Sequence, residues 1–264
     1  MNRGLRLYEA MLPFLIPLLI LAIWQVSTST GLVSTRTLPS LLDVVRAGVR
    51  LTLDGTLLEA IGVSTMRAAT GMLIGGGIGF VLGLLNGVLG VADKLTDSTL
   101  QMLRNIPHLA MIPLVIVWFG IGETAKIFLV ALGVMFPIYL NTLHGIRSVD
   151  PGLIEMGRVY GLSRWQLYRR VILPGAMPSI LVGLRFALGI MWLTLIVSET
   201  IAADRGIGYM AMNAREFFQL DVVVFAILIY ALLGKLSDMM AKWLERRWLR
   251  WHPHFAKPAS PPKA

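Results

Sequence analysis

"EMGRVYGLSRWQLYRRVILPG", residues Glu155 to Gly175, carries five charges, on Glu155, Arg158, Arg164, Arg169 and Arg170, between two long apolar runs. Its punctuation is local and dense. Just upstream, Asp150 is placed to cap a helix, Pro151 suits the first helical position, and Gly161 suits a left-handed stop. This predicts a helix of about nine residues, roughly 14 Å long. Ser163 and Gln166 then have capping-box spacing, which predicts a second short helix that Pro174 ends before the next apolar run. Two capped helices joined at Gly161 form a compact knob, too polar for lipid, too short for a domain and too well punctuated for a slack linker. On charge alone, a solvated loop whose arginines only set membrane topology is the simpler reading.

The surroundings place the knob in a membrane protein. Of 264 residues, 56% are hydrophobic and 15% charged, with a mean hydropathy of +0.71. A hydrocarbon core of about 30 Å needs roughly 20 apolar helical residues. Six windows qualify: Ala10 to Thr35, Ala68 to Ala92, Asn105 to Gly122, Ile127 to Ile146, Met177 to Ser198 with only Arg185, and Val222 to Ala241 with only Lys235 and Asp238. The fold class is therefore an all-α membrane protein with six transmembrane helices, which puts both termini on one side. Arg3 and Arg6 precede the apolar run Met11 to Val26 as they would in a signal peptide, but "STSTGLVS" offers no A-x-A cleavage pattern, so the run reads as an uncleaved anchor. With the N-terminus inside, the inner segments hold fourteen lysines and arginines and the outer ones seven, with Arg104, Arg185 and Lys235 in or near the spans. The knob is then cytoplasmic. The first outer segment fits least well, holding Arg36, Arg46, Arg50 and Arg67 beside Asp43, Asp54 and Glu59; its "PSLLDVVRAGVRL" is expected to lie along the membrane surface as an amphipathic helix.

Within the second window, Gly71, Gly75, Gly79, Gly83 and Gly87 recur every four residues, a helix-packing stripe where lipid supplies no hydrophobic drive for association. Four-residue steps advance about 40° on a straight helix, so the stripe is expected to wind around and meet more than one neighbour. "GGGIG" is not a phosphate loop, since no strand precedes it and no Lys-Ser/Thr follows.

The motif "E-M-G-x3-G-x9-V-I-L-P", from Glu155 through Gly161 to Pro174, resembles the cytoplasmic EAA loop of permease subunits in bacterial ABC importers that work with an external binding protein. Met156 and Gly157 replace the two alanines of that pattern, and Val171 stands at the usual Ile. "LQMLRNIPHLAMIPLVIVWFGIGETAKIFLVALGVMFPIYLNTLHGIR" and "GLRFALGIMWLTLIVSETIAADRGIGYMAMNAREF" are very similar to the permease family of the aliphatic sulfonate importer, and the resemblance runs from about Arg36 to His252. It implies a type I ABC importer permease fold, with a MetI-like core of five helices plus an N-terminal helix. The implied organisation is a cytoplasmic tail and first span over 1–35, a periplasmic amphipathic segment over 36–56, a transport domain over 57–245 with its coupling loop at 147–176, and a basic cytoplasmic tail over 246–264. It also implies a homodimer in the bacterial inner membrane, a dimer of ABC ATPase subunits and a periplasmic sulfonate-binding protein. In such transporters the loop inserts into a groove on the ATPase and moves as a lever. Glu155, Gly161 and Pro174 occupy its motif positions, with Arg158, Tyr160 and Leu162 as neighbours at the contact.

Absences agree with an external engine. No G-x4-G-K-[ST] loop is present, so the chain is expected not to be an enzyme itself and to need a partner for ATP hydrolysis. Cysteine is absent, no cofactor or metal site is expected, and nucleic acid is not needed to explain a pI of about 10.3, because basic residues also flank spans and meet lipid headgroups. His108 and His144 read as hydrogen-bonded helix-end residues, and His252 with His254 make only two ligands. Trp243, Trp248 and Trp251, interleaved with Arg246, Arg247 and Arg250, match an interfacial belt, and the tail "KPASPPKA" is expected to be disordered. Glu199 ends the fifth window. Lys235 and Asp238, three apart on one face, are expected to pair. Arg185, about 12 Å into its span, is either a cationic waypoint for an anion or one half of a salt bridge that fixes helix packing. The second is favoured, because an importer fed by a binding protein needs only weak internal sites. The alternatives are a permease for taurine, nitrate or another small anion, and an ion-coupled secondary transporter, which should show mid-span carboxylates.

Overall fold

A computed structural model describes residues 3–35 and 37–251. Arg36, His252, His254 and the "KPASPPKA" tail lie outside the described residues. The described chain is helical: α1 (Arg3–Ser29), α2 (Leu41–Leu53), α3 (Thr56–Val88), α4 (Gly90–Arg104), a 3₁₀ turn (His108–Met111), α5 (Ile112–Phe119), α6 (Glu123–Arg147), α7 (Pro151–Val159), α8 (Arg164–Leu167), a π-helical turn (Tyr168–Ile172), α9 (Leu173–Ala202), α10 (Ile207–Glu216) and α11 (Leu220–Trp248).

Four continuous helices are long and apolar enough to cross a membrane: α3, α6, the 38-residue run Arg164–Ile201 and α11. The expected third span is not one helix. α4 and the segment His108–Phe119 meet at a bend of 77°. Pro107 lacks an N–H and disfavours helical backbone at Ile106, so the chain leaves the helix at Asn105 and re-enters through a 3₁₀ turn. α5 then runs only eight residues before Gly120, at φ +73°, ends it. Among the described residues there are four unbroken spans, a broken fifth, and the apolar stretch Leu15–Ser29 of α1.

The chain divides into two compact units, one of residues up to Val63 with Asp204–Tyr230, the other of Ser64–Ala203 with residues from Ala231 onward. In the first, Ser40 caps α2 by accepting from the Asp43 N–H, and Val44, Ala47, Gly48 and Leu51 form its buried face. Gly48 lies directly under the Phe225 ring, where a β-carbon would stand 2.7 Å from Cζ.

In the second unit α6 is packed on two sides. Leu129, Val130 and Val134 of α6 and Leu181 and Leu195 of α9 are buried, and small residues let these helices approach closely. A β-carbon on Gly133 would meet Thr194, one on Gly145 the Ala176 carbonyl, and one on Gly183 the Asn141 side chain, which makes α6 and α9 antiparallel.

The other side of α6 receives the glycine stripe, and here the expectation of several neighbours is corrected. Gly71 faces Val130, Gly75 faces the Ala131 backbone, Gly79 the Met135 carbonyl, Gly83 the Tyr139 carbonyl and Thr142, and Gly87 faces Ile146. All five contact α6, which runs parallel to α3. Rows of four-residue steps are inclined about 26° to a helix axis, so a partner lying along the row stays in contact where an axial one would lose it.

Candidate functional site

The knob is built by local hydrogen bonds. Asp150 accepts from the Gly152 N–H at 2.8 Å and starts α7. At the other end the Gly161 N–H donates to the Arg158 carbonyl at 2.9 Å and the Leu162 N–H to the Gly157 carbonyl at 3.0 Å, the paired bonds of a Schellman stop. This stop requires the left-handed φ of +73° at Gly161. Gly157 is buried, and a β-carbon there would stand 2.6 Å from Leu167 and 3.3 Å from Leu162, so the missing side chain lets α8 fold back onto α7. Ser163 and Gln166 form a reciprocal capping box: the Gln166 N–H donates to Ser163 Oγ at 3.3 Å and the Ser163 N–H to Gln166 Oε1 at 2.9 Å.

Pro174 does not end the second helix. From α8 the chain passes through the π turn straight into α9, with Pro174 in the first turn of α9. The wider π turn accommodates a residue that cannot donate and whose ring would crowd a regular helix. The knob's two stems also meet, since buried Val149 lies 3.1 Å from where a Gly175 β-carbon would stand. Arg147, at the start of the knob, pairs with Asp93 of α4 at 2.6 Å. The tip is open and apolar. Val159 is 86% exposed and Tyr160 79%, beside exposed Met156 and a Trp165 ring stacked on Tyr168 at 5.8 Å, with Glu155, Arg158 and Arg164 around them. The exposed apolar side chains of the tip are thus ringed by charge.

Charged residues in the helices form a second constellation, one that the sequence reading missed. Arg67 and Lys126, assigned to outer segments, are buried at 2% exposure each. The Arg67 guanidinium donates to Glu123 through Nε at 2.6 Å and Nη2 at 2.5 Å, and to Glu199 through Nη1 at 2.8 Å. Ser64 donates to both Glu199 oxygens at 2.8 Å. Lys126 lies 3.5 Å from Glu123, so two cations face two carboxylates and the formal charge cancels. A signal was available: Arg67 borders the second window, Glu199 the fifth, and antiparallel spans bring those edges to one level.

Asp238 does not pair with Lys235, as its spacing suggested. Arg185 Nε donates to Asp238 Oδ1 at 2.7 Å and Lys242 Nζ lies 2.8 Å from Oδ2, so α9 and the next turn of α11 saturate the carboxylate. His108 Nε2 lies 3.0 Å from Thr194 Oγ1, beside the space left by Gly133. Asn86 donates to Thr96 at 2.7 Å and to the Tyr139 hydroxyl at 3.1 Å.

Comparison with known proteins adds the family. The chain is 60% identical, over 92% of its length and 92% of the relative's, to a permease protein of Escherichia coli (strain K12) named for aliphatic sulfonates transport. A second relative with the same kind of name, from Bacillus subtilis (strain 168), is 45% identical over 94% of this chain and 90% of its own. The structure resembles that of an amino acid ABC transporter solved with histidines, with a TM-score of 0.62 at 18% identity over 75% of this chain and 97% of the other, which shows a shared fold. Residues 75–250 match the family described as binding-protein-dependent transport system inner membrane component, and the chain belongs to that family.

Proposed function

We propose that this chain is the permease subunit of an ATP-driven importer of aliphatic sulfonates, and that the knob at residues 147–176 carries force to it from a separate ATPase. One observation carries the reading: the short segment between α6 and α9 has α7 capped at both ends and α8 capped at its start and continuous with α9, has its two stems in contact and presents an exposed apolar tip. Such an object transmits displacement without bending. Glu155, Arg158, Tyr160, Gly161, Leu162 and Pro174 are the residues we assign to it, with Tyr160 and Arg158 in contact with the ATPase and Gly161 setting the angle between α7 and α8.

The substrate follows from the relatives' names and from the extent of the likeness to them. The working assembly is two copies of this chain, two ATPase subunits and a periplasmic sulfonate-binding protein, in the inner membrane with both termini of this chain in the cytoplasm. The excess of basic residues on the inner segments supports that orientation.

The test is growth of a strain lacking this gene on an alkanesulfonate as sole sulfur source. Loss of growth, restored by the intact gene, is expected. Unimpaired growth there, with loss only on taurine or nitrate, moves the substrate to a sister class.

A further inference from the structure

Arg185 lies 12 residues into the 30-residue α9 (Leu173–Ala202), within the apolar part of its span, yet its side chain is 44% exposed. An exposed guanidinium at that depth cannot face hydrocarbon without a large penalty, so it faces an aqueous path or a partner. Its Nε is held by Asp238, and among the described residues its two terminal nitrogens have no hydrogen-bond partner. A guanidinium pinned along one edge presents its other donors in a fixed direction. Beside it lies an open cavity of about 490 Å³, lined by Val182, Arg185, Phe186, Leu188, Gly234 and Asp238. A β-carbon on Gly189 or Gly234 would meet nothing within 4 Å, so the space beside these glycines is open within this chain. Charge does not cancel: Arg185 and Lys242 share one carboxylate, unlike the balanced set around Arg67.

We infer that this cavity is a transit site for an amphiphilic organic anion, with the sulfonate oxygens on the terminal nitrogens of Arg185, the alkyl chain against Val182, Phe186 and Leu188, and Asp238 as a positioning residue that aims the guanidinium. The volume suits a small solute, and one cation over an apolar floor matches a charged head with a hydrocarbon tail. The salt bridge and the anion contact are then two edges of a single side chain. This inference rests on the proposed sulfonate import.

The complete importer, reconstituted in vesicles with its ATPase and binding protein, is assayed for uptake of alkanesulfonates from one carbon to eight. Wild type that imports none of them removes the proposed function itself. Given import, Arg185→Gln is expected to lower the maximal rate for all chain lengths by about tenfold or more, the cost of one charge-assisted contact, with partial recovery in Arg185→Lys. Gly234→Leu, which narrows the cavity but leaves the charge, is expected to slow the eight-carbon substrate more than the one-carbon one. Asp238→Asn is expected to weaken apparent affinity and leave the chain-length order unchanged. Wild-type rates in both Arg185→Gln and Gly234→Leu overturn the site. So does an equal loss for every chain length in Gly234→Leu, which would mark the cavity as packing space.

Discussion

The Arg67 guanidinium lies 2.8 Å from the Glu199 carboxylate, with both side chains shielded from solvent, and it is also gripped by Glu123 from the first turn of α6. Three helices, α3, α6 and α9, are thereby joined through one cation. Removing the Glu199 charge leaves the buried Arg67 and Lys126 facing Glu123 alone, and breaking a buried pair costs up to about 3–5 kcal/mol. Glu199→Gln is therefore expected to lower the melting temperature of the detergent-purified protein sharply. Glu123→Gln, at a side chain 55% exposed, should cost clearly less, because water replaces part of the lost contact. Equal losses from the two would contradict the assignment of Arg67 to a buried network.

The α3 row gives a second contrast. Gly79→Leu drives a side chain into the Met135 carbonyl of α6 and is expected to cost at least about 1–3 kcal/mol. Gly77 lies in the same helix with nothing within 4 Å of its would-be β-carbon, so Gly77→Ala should be neutral or stabilise by up to about 1 kcal/mol. Thermal unfolding of the two variants side by side checks both. Similar effects at the two positions would remove the row as the α3–α6 contact.

The knob's tip yields a prediction that separates binding from stability. Val159 and Tyr160 are exposed, so Val159→Asp and Tyr160→Asp should leave the melting temperature unchanged. Each is expected to reduce recovery of the ATPase on the purified permease by about tenfold, as for a central interface residue. Undiminished recovery would put the ATPase elsewhere.

What could be read from sequence was what is decided within a few residues. Asp150, Gly161 and the Ser163–Gln166 pair act through hydrogen bonds spanning two to five positions, and all three form as their spacing predicts. Pro174 misled because the rule that proline stops a helix assumes a regular turn before it, and a π turn sits there instead. The third window is apolar enough to span, but apolarity does not report the break at Pro107. The glycine stripe was visible and its single partner was not, since the path of α6 is a tertiary fact. Arg67 and Lys126 belong to the outer segments by sequence, and charge near a window edge looks the same whether it faces water or an opposing carboxylate. Asp238 pairs with Lys242, one turn on in its own helix, and with Arg185, 53 residues away in the chain, instead of Lys235, and spacing within one helix does not contain the second of these pairings.

The central claim is that a rigid knob outside the apolar helices delivers the work of nucleotide hydrolysis to them, and Gly161 is where it is most exposed to test. Beyond its chain neighbours nothing lies within 4 Å of its would-be β-carbon, so Gly161→Val is expected to act chiefly through the left-handed backbone, at a cost of about 1–2 kcal/mol and a changed angle between α7 and α8. The measurement is the number of ATP molecules hydrolysed per sulfonate imported, in sealed vesicles holding the full importer with wild-type or Gly161→Val permease. The account predicts that the variant inserts and assembles normally and hydrolyses ATP while importing little, so that the ratio rises severalfold. A wild-type ratio at a wild-type rate would contradict it.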